Sequence, residues 1–247
     1  APNNYHRYYE PFLGGGALFF FLQPEKPFLS DINSSLINTY KTVKEKPSEL
    51  ISDLKKHIYQ KEYYYLIRDV DRSGDLKYWT DVEKASRFIY LNKTCFNGLH
   101  RVNSKGQFNT PFGKYKNPTI LDEENLILCN KALQNASIKH QSFLEIEDSA
   151  MEGDFVYFDP PYAPISSTSN FTSFAKENFG EDMQIELSNL CARLDKKGVL
   201  WMLSNSAVPL ISDLYKNFKI ERISALRAIN SKANSRGKID EFIITNY

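Results

Sequence analysis

The residues best suited to chemistry are Asp159-Pro160-Pro161-Tyr162, which directly follow the apolar run Phe155-Val156-Tyr157-Phe158. Two consecutive prolines cannot continue a strand or a helix, so the strand must stop there and leave a carboxylate and an aromatic ring fixed beside its end. An acceptor and a flat ring so placed suit a planar substrate bearing an amino group. The carboxylate and a proline carbonyl can each accept one of that group's hydrogens while Tyr162 stacks on the ring. Taken alone, the tetrapeptide also fits a strand ending in a rigid turn with its tyrosine on the surface.

A second set of residues lies near the start. Glu10-Pro11-Phe12-Leu13 leads into Gly14-Gly15-Gly16 and then a helix-like run from Ala17 to Leu22. A glycine turn lets a ligand approach the backbone, and an acid about 20 positions on, at the end of the next strand, can accept the hydroxyls of a ribose. Asp31 stands at about that separation from Glu10 and closes the short run Phe28-Leu29-Ser30. The turn is not GxGxxG, and Glu10 would repel a pyrophosphate yet pair with the ammonium of an amino-acid moiety. A nucleoside without phosphates that carries an amino-acid tail suits these residues, which is S-adenosylmethionine. A lone Gly-Gly-Gly is by itself more often only a tight turn.

Alternating strands and helices must position these groups. Helical spacing of apolar residues is expected over residues 34–44, 47–59, 81–91, 122–133, 183–194 and 210–216. Strands are expected at 7–9, 28–30, 138–143, 155–158, 199–203, 220–224 and 242–245. The fold class that follows is α/β, a parallel sheet covered by helices. Residues 92–118 lack a period and read as loop and hairpin. A catalytic domain of residues 1–46 and 134–247, interrupted by an insert of residues 47–133, is the most economical organisation.

Composition narrows the possibilities. The three cysteines, Cys95, Cys129 and Cys191, are odd in number and lack ligand spacing, so a disulfide framework or structural zinc is not expected. No apolar stretch approaches the roughly 20 residues that cross a bilayer, and Ala1-Pro2-Asn3-Asn4 lacks a signal pattern, so a soluble, cytoplasmic protein is expected. A net charge of +1 hides two basic segments. Lys93, Arg101, Lys105, Lys114 and Lys116 have no acid among them, and Lys216, Lys219, Arg222, Arg227, Lys232, Arg236 and Lys238 have only Glu221. Such segments suit a polyanion on one face, or are two solvated loops. His6, His57, His100 and His140 suggest neither a metal nor a triad, and Ser204-Asn205, outside any Gly-x-Ser-x-Gly turn, reads as a strand end lining the pocket. Residues 230–238 read as a mobile basic loop.

Further motifs are Asp31-Ile32-Asn33, the run from Phe96 to Asn103, the run from Phe108 to Tyr115, and Leu203-Ser204-Asn205. With them the chain resembles, over nearly its whole length, the Dam-type DNA adenine methyltransferases of bacteria and phages. The resemblance implies a Rossmann-like S-adenosylmethionine-dependent sheet with helices on both faces and an inserted, mostly helical DNA-recognition subdomain. It implies methylation of adenine's exocyclic amino group in double-stranded DNA at GATC, by a monomer without metal or membrane, nucleoid-associated or phage-encoded. Asp159, Pro160, Pro161 and Tyr162 then resemble the catalytic motif. Glu10, Pro11, Phe12, Gly14, Gly16, Asp31, Ile32, Phe143 and Asp159 resemble the cofactor site.

In the insert, Asn97 is similar to a phosphate contact, and Leu99 and Arg101 to readers of the outer guanine. A guanidinium suits that role because it can bond guanine's two major-groove acceptors at once. Asn103, Pro111, Lys114 and Tyr115 resemble further DNA contacts, and Phe96 falls where relatives often carry a tyrosine wedge. Tyr162, with Phe171 or Phe174 beyond it, would stack on an extruded base, although core packing is the plainer expectation for those phenylalanines.

Two features depart from the family. No Lys-Trp-x-Gly-Gly-Lys stretch precedes Arg7, so either the sequence begins after it or cofactor binding is weaker. Gln141-Ser142-Phe143 stands where many relatives have Gly-Asp-Phe. The competing readings are an amino-methyltransferase acting on cytosine in DNA or on structured RNA, and a catalytically silent DNA-binding relative.

Overall fold

Apolar strands joined by amphipathic helices can bury themselves only if the helices cover the sheet. The structure, a computed structural model, describes residues 1–165, 179–226 and 238–247. The chain runs β1 (Tyr8–Glu10), α1 (Ala17–Leu22), β2 (Pro27–Asp31), α2 (Ser34–Glu45), α3 (Pro47–Leu54), α4 (Lys61–Ser73) and α5 (Asp81–Thr94). There follow α6 (Glu123–Leu133), β3 (Ser137–His140), α7 (Ile146–Ser149), β4 (Phe155–Phe158) and α8 (Glu181–Lys196). The last elements are β5 (Leu200–Ser206), α9 (Pro209–Leu214), β6 (Lys219–Leu226) and β7 (Lys238–Thr245).

The strands form a seven-stranded sheet in the order β3-β2-β1-β4-β5-β7-β6. β1 is parallel to β2 and β4, and β4 is parallel to β5. The expected parallel sheet is corrected at one edge, where β7 runs antiparallel to both β5 and β6. Only residues 227–237 separate β6 from β7, and a parallel return needs a connection of roughly a dozen residues or more, usually helical.

Two compact units divide the described residues, one of Ala1–Ser30 with the residues from Gln141 onward, the other Asp31–His140. In the first unit, Leu187, Leu190 and Leu194 recur along α8 at helical spacing and pack with Tyr9, Val156, Phe158, Trp201 and Leu203 of the strands. Acidic Glu181 and Asp182 open that helix and Arg193 and Lys196 close it, matching its dipole. β5 runs three residues further than expected, because Ser204, Asn205 and Ser206 are buried and hydrogen-bonded rather than solvated. The start of the unit is pinned by Asp154, 1% exposed, which accepts from Arg7 Nε at 3.0 Å, Arg7 Nη2 at 2.6 Å and the Met151 amide at 2.8 Å.

In the second unit α5 packs against α2, α3 and α4. Its core joins Tyr64, Tyr90, Leu91, Cys95 and Phe108. α3 stops at Leu54 instead of reaching residue 59, and His57 beyond it stacks on Tyr90 with ring centroids 4.4 Å apart. α4 is absent from the sequence reading. Its inward face is largely aromatic and apolar, with Tyr64 buried and Tyr63, Tyr65 and Ile67 packed against the same core, and it also carries polar links: Tyr64 donates to the Thr110 carbonyl at 2.8 Å and Asp71 accepts from the Phe108 amide at 2.8 Å. Residues 95–112 form the expected hairpin, with bridges Cys95↔Phe112 and Val102↔Phe108. No described helix is long and apolar enough to cross a membrane.

Replacing Asp154 by Ala leaves the Arg7 guanidinium and the Met151 amide without their acceptor. It should lower the unfolding free energy in urea by about 2 to 4 kcal/mol, and a loss below about 1 kcal/mol would show that the pin is dispensable.

Candidate active site

Strand order reverses between β1 and β4, and in open α/β sheets such a reversal leaves a crevice at the carboxyl ends of the two strands. The register Tyr8↔Phe155 and Tyr9↔Val156 therefore brings two acids to that crevice, Glu10 as the last residue of β1 and Asp159 as the first beyond β4.

Glu10 is 2% exposed and accepts from the Tyr8 hydroxyl at 2.6 Å. Burial pushes its carboxyl up to about 7, against the Tyr8 hydroxyl and the Phe19 backbone, while the charge of Asp159 pushes it further up. Asp159 is open to solvent by surface area, yet desolvation is the main force raising its carboxyl above the ordinary range. Both hold for a group at the floor of a recess, reachable by water and surrounded by protein. Ser204 of β5 donates to Asp159 Oδ1 at 2.6 Å, and its oxygen lies 3.2 Å from the Tyr157 hydroxyl.

The prolines end β4 as expected. Pro160 is buried, and among the described residues no group donates to its carbonyl, which leaves that acceptor for a ligand. The Tyr162 hydroxyl points to Glu241 Oε2 on β7 at 3.4 Å. On the β1 side, Gly14 and Gly16 take φ of 46° and 64°, a left-handed conformation that favours glycine, and the Gly16 amide closes the turn on the Leu13 carbonyl at 2.6 Å. Pro11 is buried, and Phe12 stacks on Phe143 at 5.1 Å between centroids. Phe143 does not end a strand. β3 stops at His140, because Ser142 and Glu145 form a capping box around a short 3-10 turn. Ser142 thus spends its hydroxyl on the Leu144 amide.

The second unit carries the remaining candidates. Asp31 accepts from the Asn33 amide at 2.8 Å, and Asn33 caps α2 through the amides of Ser35 and Leu36. Ile32 is 49% exposed. Along the hairpin, Phe96, Asn97, Arg101, Pro111, Lys114 and Tyr115 are exposed, whereas Leu99 and Asn103 are half-buried. Asn97 takes a φ of 55°, which presents it at a tight corner. Asn103 is committed to the hairpin tip, accepting from the amides of Lys105 and Gln107 and donating to Gln107 Oε1. Tyr115 spends its hydroxyl on the Cys95 carbonyl and leaves its ring partly open.

Lys93, Arg101, Lys105, Lys114 and Lys116 are exposed, and the ion pairs of the described residues engage none of them. The other basic segment is less basic than it reads. Lys219 pairs with Glu221 at 2.8 Å, and Arg222 lies 3.5 Å from Asp240 of the neighbouring strand. Phe171, Phe174, Arg227, Lys232 and Arg236 lie outside the described residues, as does most of the basic loop of residues 230–238.

The second unit also holds a cavity of about 220 Å³ bordered by Asn33, Arg87 and His100. Arg87 is committed there to Asp71 and to the carbonyls of Ile67 and Arg68, and burial beside it pushes His100 down to about 4. The charge of Arg87 is therefore already paired, and His100 is neutral at neutral pH. Among the described residues no cluster of His, Cys, Asp and Glu could hold a metal ion.

Tyr157, Gln184 and Glu241 escaped the sequence reading. Gln184 alone left a signal, a polar residue on the same helical stripe as Leu187, Cys191 and Leu194.

A crevice at a strand-order reversal, lined by partly desolvated carboxylates and a glycine turn, defines a Rossmann-like methyltransferase fold. Residues 1–229 match the family described as D12 class N6 adenine-specific DNA methyltransferase, and the chain belongs to that family of enzymes. It is 49% identical over 250 residues to the type II methyltransferase M1.LlaDCHI of Lactococcus lactis subsp. cremoris, covering 100% of this chain and 88% of that one. It is 42% identical to the type II methyltransferase M.MjaIII of Methanocaldococcus jannaschii, over 99% and 89% of the two chains. It is 33% identical to the DNA adenine methylase of Escherichia coli K12, over 95% and 84%. The family uses S-adenosylmethionine as methyl donor and DNA as substrate.

Because the Glu10 carboxyl titrates higher in the folded chain than in the unfolded one, its contribution to stability is present below about pH 4.5 and is lost as pH rises through about 7. Glu10→Gln should remove that loss in urea denaturation between pH 5 and 8, and Tyr8→Phe should move the titration further up. A carboxyl resonance of Glu10 with its midpoint near the ordinary value would contradict the site's electrostatics.

Proposed function

We propose that this chain methylates the exocyclic amino group of adenine at GATC in double-stranded DNA. The observation that carries the reading is the pairing of Asp159, oriented by Ser204, with the Pro160 carbonyl, to which no described residue donates, at the carboxyl end of β4. Two acceptors side by side suit the two hydrogens of an amino group. The names of several relatives, DNA adenine methylases, support adenine as the target base, and the two type II methyltransferases support a restriction-modification setting, while GATC rests on the resemblance of Leu99 and Arg101 to readers of the outer guanine.

The chemistry of the donor set suits S-adenosylmethionine. Glu10 is a buried acid whose charge a cation would stabilise, and the glycine turn beside it leaves room for a ligand to approach the backbone. When bound, that group supplies a methyl on a positively charged sulfur. In the first unit Glu10, Pro11, Phe12, Gly14, Gly16, Phe143 and Asp159 would hold it; in the second, Asp31 is the candidate acceptor for the ribose, and Ile32 is a further candidate cofactor contact.

The amino nitrogen of adenine is a poor nucleophile because its lone pair is delocalised into the ring. Asp159 and the Pro160 carbonyl each accept one of its hydrogens, which favours a pyramidal nitrogen with its lone pair free to attack. The nitrogen becomes acidic only as it gains its new bond, so Asp159 need not be a strong base beforehand, and its raised carboxyl can hold the departing proton. Holding reactants in line contributes on the order of 7 to 11 kcal/mol in the best intramolecular models. Tyr162 stacks on the extruded base.

Residues 47–133 act as the recognition subdomain of a protein that works as a monomer. Arg101 and Leu99 read the outer guanine, Phe96 fills the space beside the target, and Asn97, Asn103, Pro111, Lys114 and Tyr115 fix the backbone register.

Transfer of a tritiated methyl group to duplex DNA tests the proposal, and Asp159→Ala should slow it by about 10²- to 10³-fold. Label appearing in RNA and not in DNA would contradict it. Arg101→Ala should cost about 1 to 3 kcal/mol of discrimination at the outer guanine alone. Lys114→Ala should weaken binding to all sequences and lower the salt slope by about 1, and an identical, uniform loss for both variants would refute that division of labour.

A further inference from the structure

One pair of buried side-chain amides is wired in a single direction. Asn205, 0% exposed on β5, accepts at Oδ1 from the amides of Ala163 at 2.9 Å and Ser206 at 2.8 Å. Backbone amides only donate, so they fix which end of the Asn205 side chain is oxygen. Its Nδ2 must then face Gln184, 1% exposed on α8, and it donates to Gln184 Oε1 at 3.1 Å. That bond in turn fixes Gln184, whose Nε2 donates to the Pro161 carbonyl at 2.9 Å. Neither amide can flip without setting oxygen against oxygen somewhere along the chain.

The two ends of this chain grip the backbone immediately before and after Tyr162, at the Pro161 carbonyl and the Ala163 amide. A turn of two prolines and a tyrosine has almost no backbone hydrogen bonds of its own with which to hold its shape. We infer that Gln184 and Asn205 are positioning residues that fix the Tyr162 ring and, through Pro161, the Pro160 carbonyl for methyl transfer. The inference rests on the catalytic reading of Asp159 to Tyr162. Simple satisfaction of two buried amides would require no connection to that turn.

Single-turnover methyl transfer at saturating S-adenosylmethionine and duplex DNA tests the inference, with Gln184→Met as the variant. Methionine keeps length and apolar bulk but cannot donate to Pro161. A misplacement of about 1 Å is worth up to 10²-fold in rate, so the step should slow 10- to 100-fold while the S-adenosylmethionine dissociation constant stays within two-fold. A duplex with 2-aminopurine at the target position should show altered emission, because the extruded base meets a displaced Tyr162.

Gln184→Glu provides a second readout. Protonated, its carboxyl can still accept from Asn205 and donate to Pro161, so the ratio of its rate to the wild-type rate should rise as pH falls. A folded Gln184→Met variant within two-fold of the wild-type rate overturns the inference, provided that Asp159→Ala is slowed about 100-fold or more in the same assay. If Asp159→Ala is also unimpaired, the catalytic reading itself fails. Should both Gln184 variants fail to fold, hydrogen exchange on the wild-type protein decides. The Ala163 amide should exchange at least 100-fold more slowly than an unstructured amide, and exchange at the unstructured rate overturns the inference.

Discussion

Where strand order reverses between β1 and β4, two carboxyl groups stand at neighbouring strand ends with much of their hydration removed. Burial disfavours the charge of each, and the charge of Asp159 disfavours that of Glu10 further. Such a site stores a demand for positive charge on one side and for hydrogen-bond donors on the other. A cation beside Glu10 and a hydrogen-bond donor beside Asp159 would relieve both. The surrounding elements maintain that arrangement: the Tyr8 hydroxyl and Ser204 orient the carboxyls, and the core of Trp201, Phe158 and the leucines of α8 keeps the strand ends from relaxing into water.

The second unit solves a different problem with similar means. A hairpin that presents exposed Arg101, Lys114 and Phe96 needs a firm base, and its own ladder is short. Charged groups on α4 hold its backbone at one residue, Phe108, where Asp71 accepts from the amide and Arg72 Nη2 donates to the carbonyl at 2.8 Å. Arg87 of α5 in turn holds Asp71 at 2.9 Å. In both units, backbone that lacks regular secondary structure is fixed by polar side chains from regular elements. That is how an irregular segment can carry function without becoming mobile.

What could be read from the sequence alone depended on whether a residue's meaning is local. Asp159-Pro160-Pro161-Tyr162 announces a strand stop because proline geometry acts on its neighbours, and the left-handed corners at Gly14 and Gly16 follow from glycine itself. The hairpin of residues 95–112 showed as a loss of period. Residues whose role depends on distant partners did not show. Tyr162 meets Glu241 and Pro161 meets Gln184 only after folding. The apparent charge of residues 216–238 missed Asp240, because the strand that neutralises Arg222 arrives by antiparallel pairing. α4 went unseen because its inward residues Tyr64 and Ile67 sit in the unbroken run Tyr63 to Ile67, and a short run of aromatic and β-branched residues does not by itself tell a helix from a strand.

The most direct measurement is a base-resolution map of modified positions on a plasmid treated with the purified protein and S-adenosylmethionine. N6-methyladenine confined to the adenine of GATC on both strands is the predicted outcome. Modification of cytosine, adenine methylation spread over unrelated sequences, or an unmodified plasmid would contradict the account.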